Sequence, residues 1–298
     1  MRFMDLKREF SWSYSRYRCF DFCKTAYHLR YTASWGGWDK FSEENARLVY
    51  TLKNLRSVNS WLNQVFRETV RNVFIESQGG NFDFNAVSLK KSALRKLKND
   101  WHDAVAAEWK NDPRKLNLRE IYYGKEDPEN IFNLSVDRLF DNINCFSQSG
   151  VFEEISRLPY HGFNDEKNPV AFFLDGLKIW LSPDFIFSDK KGMNLMNFCC
   201  ETGIEGDAWP HIAGIGVLYA CDKFKMPEEK INARTVFLED SNAGCLSVYS
   251  YANTSELRDT INESALDMLE FENNSISFSR PESDSKCQTC EFRRICLG

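Results

Sequence analysis

The residues best suited to chemistry are three cysteines at the C-terminal end of the printed chain. Cys287 and Cys290 form a Cys-x-x-Cys pair, and Cys296 follows after five intervening residues. A Cys-x-x-Cys loop can direct both sulfurs at one metal, and thiolate ligands suit zinc and iron–sulfur clusters. Because tetrahedral zinc and a cubane iron–sulfur cluster each need four ligands, the triad predicts a fourth ligand elsewhere in the chain.

The candidates for that fourth ligand are Cys19 and Cys23. They lie in a segment, Trp12 to Tyr31, whose aromatic residues recur every three or four positions, which predicts an amphipathic helix. The remaining members of the ten cysteines fall in apolar segments and are interpreted as small core residues: Cys145, Cys199, Cys200, Cys221 and Cys245. Tail thiols that bind no metal and stay exposed are the alternative.

The composition restricts the class of protein. The chain has 298 residues, of which 43% are hydrophobic and 14% aromatic, and its Gly and Pro content is low, so it is globular rather than disordered or collagen-like. A net charge of −5 argues against a strongly cationic, nonspecific nucleic-acid binder. No signal peptide and no apolar run of about 20 residues is visible, so we expect a cytoplasmic protein with reduced thiols and no membrane contact.

The periodicity changes along the chain from helical to strand-like. Apolar residues at helical spacing predict helices from Ser42 to about Leu139, and the Asp175-Gly176 turn between two apolar runs predicts a hairpin. Further strands are predicted at 184–187, 193–200, 234–238 and 245–251, and a helix at 254–272. We therefore predict an α/β fold with a mixed central sheet flanked by helices and a large N-terminal helical insertion. The predicted organisation is a single domain over residues 1–298, with a helical lobe at about 40–160, a sheet core at about 165–252, and a C-terminal helix and cysteine-bearing tail at 253–298.

One predicted helix is strongly basic. Its basic residues are Lys90, Lys91, Arg95, Lys96 and Lys98. They form either a solvated helix face or a surface that contacts the phosphates of DNA, and both interpretations stay open.

Three stretches of the chain match a known family pattern. The opening SYSRYRCFDFCKTAYHLRY is similar to a ligand-bearing helix, the cysteine tail to a ligand triad, and SPDFIF followed by NFCCETG to a metal-binding hairpin. In these features the chain resembles the RecB-type branch of the PD-(D/E)XK nuclease superfamily, including the CRISPR-associated RecB-like exonucleases and the nuclease domain of AddB. The segments SWGGW and IYYGKEDPE resemble a bacterial subgroup of stand-alone proteins of this size.

The resemblance implies a restriction-endonuclease-like sheet and a 4Fe-4S cluster. The implied ligands are Cys23, rather than Cys19, together with Cys287, Cys290 and Cys296. Such a cluster would hold the two ends of the chain together, and closing so long a loop favours the folded state once the ligands are bound.

The resemblance also implies a divalent-metal site, because the family's chemistry uses acidic groups that hold Mg²⁺ or Mn²⁺, a lysine, and often a histidine. The Pro-Asp motif retains Asp184. The alternative interpretation is that Asp184 is a strand-end residue that caps a turn after Pro183. The remaining family positions hold other residues: Cys199 for the second acid, Glu201 for the lysine, Phe66 for the histidine, and His211 and Ile215 for a glutamine and a tyrosine.

These departures predict a degenerate catalytic site. A thiol is a poor ligand for hard cations, Phe66 cannot coordinate a metal, and Glu201 places negative charge where a cation should face the phosphate. The function expected is an iron–sulfur scaffold that binds DNA or other protein subunits in a DNA-processing or anti-phage defence complex.

Two alternatives stay open. The first is an active Mg²⁺- or Mn²⁺-dependent DNA nuclease that uses Asp184 and Glu201, since strand alternation puts Cys199 and Glu201 on one side, with Lys178 or Lys190 replacing the lost lysine. The second is a structural interaction protein with no affinity for DNA.

Overall fold

The structure is a computed structural model that describes residues 10–78, 80, 83–124, 127–158, 169–200, 208–238, 246–250, 254–274 and 284–297. The helices in these ranges are α1 (Tyr14–Phe22), α2 (Lys24–His28), α3 (Glu44–Lys53), α4 (Val58–Gln78), α5 (Ala86–Val105), α6 (Arg119–Tyr122), α7 (Pro128–Ser147), α8 (Gly150–Ser156), α9 (Ala208–Phe224), α10 (Ser255–Asn273), α11 (Asp284–Thr289) and α12 (Arg293–Leu297). The strands are β1 (Trp12–Ser13), β2 (Leu55–Arg56), β3 (Asn117–Leu118), β4 (Val170–Leu174), β5 (Leu177–Leu181), β6 (Phe185–Asp189), β7 (Gly192–Cys199), β8 (Ile231–Leu238) and β9 (Leu246–Ser250). The predicted mixed α/β class is confirmed.

A four-stranded mixed sheet, in the order β6-β7-β8-β9, lies between two hydrophobic cores. Strands β7 and β8 are parallel, and the other two pairs are antiparallel. Parallel neighbours need a crossover, which α9 supplies. Successive side chains of a strand point to opposite faces, so Phe185 and Phe187 join the core of the helical lobe, whereas Ile186 joins the core on the other face.

The helical lobe packs against one face of this sheet. Its core is formed by apolar residues of α4, α5, α7 and α8, as the periodicity predicts. Side chains cap α5, α7 and α8: Asn85 accepts a hydrogen bond from Ser88 N at 2.9 Å, Asp127 accepts one from Asn130 N at 3.1 Å, and Ser149 accepts one from Phe152 N at 3.2 Å. The lobe therefore presents one surface of α4 to strands β6 and β7.

The predicted hairpin is present as β4 and β5. Asp175 and Gly176 both have positive φ, 49° and 84°, which is the backbone of the tight turn that Asp-Gly favours. The N-terminal strand β1 adds to the hairpin in parallel, with Trp12 opposite Ile179. The chain that leads into α1 is thus fixed by a three-stranded sheet, in the order β1-β5-β4.

The N-terminal helical segment differs from the single helix that its periodicity predicts. It divides into α1 and α2 at Cys23, whose backbone is extended with φ −167° and ψ 119°. One π-helical turn, Leu29–Ala33, then follows α2. The aromatic stripe continues through the break because both pieces pack on the same core, so periodicity alone does not reveal the break.

Buried polar contacts join this segment to the helix α10 near the other end of the chain. Arg16 is 5% exposed, forms an ion pair with Glu272, and donates a hydrogen bond from Nε to the Tyr27 hydroxyl at 2.9 Å. Trp12 Nε1 donates to Ser264 Oγ at 3.0 Å. Protein groups therefore join the N-terminal helical segment to α10.

In the described part of the chain, no helix combines the length and the apolar character needed to cross a membrane.

The Arg16–Glu272 pair, in which Arg16 is buried, predicts that loss of its acid destabilises the protein more than loss of an acid from an exposed pair. Glu272→Gln leaves the buried Arg16 guanidinium without its charge partner, and we expect the free energy of unfolding to fall by about 2 to 3 kcal/mol in urea denaturation. The matched control is Glu153→Gln, which removes the partner of Arg157 in a pair whose side chains are 65% and 78% exposed. That loss should be about 0.5 kcal/mol or less. Equal losses for the two variants would contradict this account of Arg16.

Candidate functional sites

The first candidate site begins at the break between α1 and α2. Cys23 N donates to Cys19 O at 3.1 Å, which ends α1. The Cys23 Sγ accepts a weak hydrogen bond from Ala26 N at 3.5 Å, so this thiol occupies the N-cap position of α2. Serine, threonine, asparagine and aspartate are the residues that favour this position, so capping does not by itself account for a cysteine there.

The C-terminal cysteines are held on two short helices and the turn between them. Cys287 lies in α11 and Cys296 in α12. In the turn, Cys290 N donates to Cys287 O at 3.3 Å, and Cys290 Sγ accepts from Phe292 N at 3.4 Å. Phe292 is fully buried and anchors this turn in a small core.

These two segments line one pocket, which we call the cysteine pocket, with about 330 Å³ of space that is partly open to solvent. Its lining residues are Phe22, Cys23, Ala26, Lys286, Cys287, Cys290, Phe292, Arg293 and Cys296. All four cysteines that the resemblance implies as ligands are therefore in the lining, and none of the four forms a disulfide. Cys19 is not in this lining.

Burial dominates the acid–base properties of the thiols near the pocket. It raises the pKa of Cys290 to about 12, and the neighbouring Glu291, Cys23 and Cys296 raise it further while the Phe292 amide opposes them. Burial also raises the pKa of Cys19 to about 11. Arg30 opposes the rise at Cys19 without cancelling it, so both thiols are neutral at pH 7.

The donor set of the cysteine pocket fits a soft metal centre, because four thiols from both chain ends share one lining. Lys286 and Arg293 supply positive charge beside them. Among the described residues, no His, Cys, Asp or Glu side chains form a group of three or more that could hold a metal ion. The inference of a centre therefore depends on the donor set and on the shared lining.

Protein contacts hold the tail in place independently of any metal. Arg30 forms an ion pair with Glu291, and the Tyr123 hydroxyl donates to Glu291 O at 2.7 Å. The Arg293 guanidinium lies 3.6 Å from the centroid of the Tyr123 ring. Arg119 also donates to the carbonyl of Thr289 in α11. The tail therefore docks on both the N-terminal segment and the region around α6.

The second candidate site surrounds Asp184, which immediately precedes β6. Asp184 N donates to Met196 O at 2.9 Å and so continues the pairing of β6 with β7. The residue is 5% exposed. Asp184 is therefore held at a strand end, where the family pattern expects an acidic metal ligand.

The Asp184 carboxylate is already paired with a cation of the chain. Arg67 Nε, from α4, lies 2.8 Å from Oδ1 and 2.9 Å from Oδ2. Phe198 N donates to Oδ2 at 2.7 Å. Burial raises the pKa of Asp184, with Arg67 and the Phe198 amide opposing the rise, and the charge of Asp184 raises the pKa of Arg67. The contacts with Arg67 and the Phe198 amide therefore offset part of the cost of burying the Asp184 charge.

Three polar residues of α4 contact the segment around Asp184. Asn63, Arg67 and Arg71 recur every four positions and so share one face of the helix. Asn63 Oδ1 accepts from Cys200 N at 3.0 Å, Arg67 Nη2 donates to Ser182 O at 2.9 Å, and Arg71 Nη1 donates to Asp184 O at 2.9 Å. This polar face was not predicted, although the regular spacing of its polar residues in an apolar helix was a usable signal.

A cleft with about 1290 Å³ of space, partly open to solvent, lies beside this pair, and we call it the Asp184 cleft. Its lining residues are Ser13, Tyr14, Ser15, Asn63, Arg67, Pro169, Trp180, Leu181, Ser182, Asn197, Phe198, Cys199, Ile212, Ile215 and Thr235. Two of the sequence-predicted positions, Cys199 and Ile215, are in the lining. His211 stacks on Tyr14, with ring centroids 5.9 Å apart.

The other predicted site residues are distributed differently. Glu201 lies outside the described residues, as do Thr202 and Gly203. The Lys178 ammonium lies 4.9 Å from the centroid of the Trp180 ring, whose residue lines the cleft, and Lys190 is exposed in the turn between β6 and β7. Phe66 is fully buried against the rings of Phe146 and Phe198, so the family's histidine position faces the core of the helical lobe.

The basic residues of α5 are only partly available to a ligand. Lys96 is neutralised by Glu68 at 3.0 Å and Asp100 at 3.3 Å, and the Lys90 ammonium lies over the ring of Phe140. Lys91, Arg95 and Lys98 are exposed. No residue of α5 is in the lining of the Asp184 cleft.

No protein-family model matches the chain, and no curated protein matches it. Among solved structures, the crystal structure of SSO0001 matches with a TM-score of 0.30 and 14% sequence identity, over 60% of this chain and 80% of that chain. A TM-score of this size does not establish a common fold.

The burial of Phe66 predicts that a histidine cannot be restored at this position without loss of stability. Phe66→His places an imidazole among the Phe146 and Phe198 rings, and we expect the free energy of unfolding to fall by about 3 kcal/mol. The control Phe66→Leu keeps the site apolar and should lose about 1 kcal/mol. Chemical denaturation of both variants measures the difference, and equal stability of the two would show that the site is not the closed apolar contact described above.

Proposed function

We propose that the chain is an iron–sulfur protein related to the PD-(D/E)XK nucleases, with a restriction-endonuclease-like sheet and a degenerate catalytic cleft. It would act as a DNA- or protein-binding scaffold subunit in a cytoplasmic DNA-processing or anti-phage defence complex. The observation that carries the proposal is the cysteine pocket, in which Cys23 from one chain end and Cys287, Cys290 and Cys296 from the other share one lining.

In this proposal the four cysteines bind one 4Fe-4S cluster. When bound, the cluster supplies a covalent link between segments that are distant in sequence. By the loop-closure argument used for disulfides, restricting so long a segment of the unfolded chain favours the folded state by about 5 kcal/mol. The role of the cysteines is therefore structural, and the Arg30–Glu291 pair and the Tyr123 contact orient the tail for it.

The partner of the Asp184 carboxylate supports the proposal that the cleft is catalytically degenerate. A metal-dependent nuclease needs that carboxylate for a divalent cation, whereas here Arg67 contacts both of its oxygens. Cys199 lines the same cleft and is a poor ligand for hard cations. A protein that retains the scaffold but lacks these ligands is suited to binding rather than to cleavage.

If Cys290 is a cluster ligand and Cys19 is not, replacing each of them by serine should have different effects on the bound iron. Cys290→Ser should abolish the broad visible absorbance of the anaerobically purified protein, lower its iron and sulfide content, and lower its Tm. The control is Cys19→Ser, because Cys19 is partly buried on α1 but lies outside the cysteine pocket. This control should retain iron and absorbance. If Cys290→Ser keeps the native iron content and thermal stability, the proposed cluster is wrong.

Activity and binding assays separate the scaffold from its alternatives. We expect no cleavage of single- or double-stranded DNA with Mn²⁺, and cleavage that Asp184→Ala abolishes would instead establish an active nuclease.

If DNA is the partner, fluorescence anisotropy should show binding that weakens steeply with salt, and Lys91→Gln, Arg95→Gln and Lys98→Gln should reduce the salt slope by about one per lost phosphate contact. Lys223→Gln with Lys225→Gln is the control for general charge. Absence of salt-dependent binding would favour a protein partner.

A further inference from the structure

The polar face of α4 brings two arginines to one strand end. Arg67 contacts the carboxylate of Asp184, and Arg71 contacts its backbone carbonyl. Both are long side chains from a helix of the lobe, and both reach the segment that connects β5 to β6. Two positive charges therefore lie where the family pattern has a divalent cation.

The contacts already made by the Asp184 carboxylate leave no favourable position for a divalent cation. Arg67 Nε contacts both oxygens, and Oδ2 also accepts from Phe198 N at 2.7 Å. A metal ion on the remaining lone pairs would lie within a few ångströms of the Arg67 guanidinium, and the two cations would repel each other strongly at a site that is 5% exposed. Expelling Arg67 would leave its guanidinium without this partner.

We propose that Arg67 is the resident cation of the Asp184 cleft, which takes the place of a divalent metal and closes the site to Mg²⁺ and Mn²⁺. The Asp184–Arg67 pair then fixes α4 on β6 and β7, which is a structural task that a bound metal would otherwise perform. This inference rests on the proposed function only in treating the cleft as non-catalytic, and it concerns cation binding in the absence of nucleic acid.

A direct test is an Mn²⁺ titration followed by the electron paramagnetic resonance signal of free Mn²⁺, carried out on the full-length protein without nucleic acid. Wild type should bind no more Mn²⁺ than Asp184→Asn. Arg67→Ala should gain a site that binds Mn²⁺ at least about tenfold more tightly than any site in wild type. The double variant Arg67→Ala with Asp184→Asn should lose that site again.

Two further variants complete the test. Arg71→Ala is the matched control, because it removes an arginine of the same helix face that contacts only the backbone of Asp184, and it should gain no site. If Arg67→Ala does not fold, Arg67→Gln keeps more of the packing and should show the same gain, together with a rise in Tm on addition of Mn²⁺.

The outcomes separate this inference from the proposed function. Mn²⁺ binding by wild type that Asp184→Asn removes would overturn the inference, as would folded Arg67 variants that gain no Asp184-dependent site. If the wild-type protein cleaves DNA but has no Mn²⁺ site at Asp184, the proposal that the cleft is non-catalytic is wrong. The inference that Arg67 takes the place of a metal still holds in that case. If the proposed iron–sulfur cluster proves wrong, the conclusions from the Mn²⁺-binding and DNA-cleavage experiments do not change.

Discussion

The docking of α1 against α10 and the cysteine-bearing tail is the contact on which the rest of the structure depends. Its N-terminal end supplies Ser13, Tyr14 and Ser15 to the wall of the Asp184 cleft, and Cys23 at its C-terminal end lines the cysteine pocket. A helix of nine residues is only about 14 Å long, so the two sites share one short rigid element. Whatever fixes α1 therefore positions both sites.

Protein contacts and the proposed cluster fix α1 in complementary ways. The Arg16–Glu272 pair and the Trp12–Ser264 hydrogen bond attach the segment to α10. The proposed cluster would attach its other end to the tail. The Asp184 cleft differs, because the buried Asp184 carboxylate lies behind its lining and is paired with Arg67 of the helical lobe, which does line it. We propose that the soft-metal centre would serve a structural role, and that the Asp184–Arg67 ion pair takes the structural place of a hard-metal centre.

Local patterns predicted much of the fold. Asp175-Gly176 fixed the hairpin because its turn needs positive φ, and the strands at 193–200 and 234–238 were predicted to within a few residues of β7 and β8. The break at Cys23 was not predictable, since both helices contribute to one aromatic stripe. The spacing of Asn63, Arg67 and Arg71 indicates a polar face on α4, but it does not reveal that Arg67 pairs with Asp184, which lies 117 positions away. The convergence of the cysteines followed from the family resemblance, not from spacing.

Metal analysis of one sample tests the whole account most directly. The anaerobically purified wild-type protein is incubated with Mn²⁺, dialysed, and analysed for iron, sulfide, zinc and manganese per chain. The account predicts about four iron and about four sulfide per chain, with neither zinc nor manganese at a stoichiometric level. Stoichiometric zinc in place of iron, or one retained manganese per chain, would contradict it.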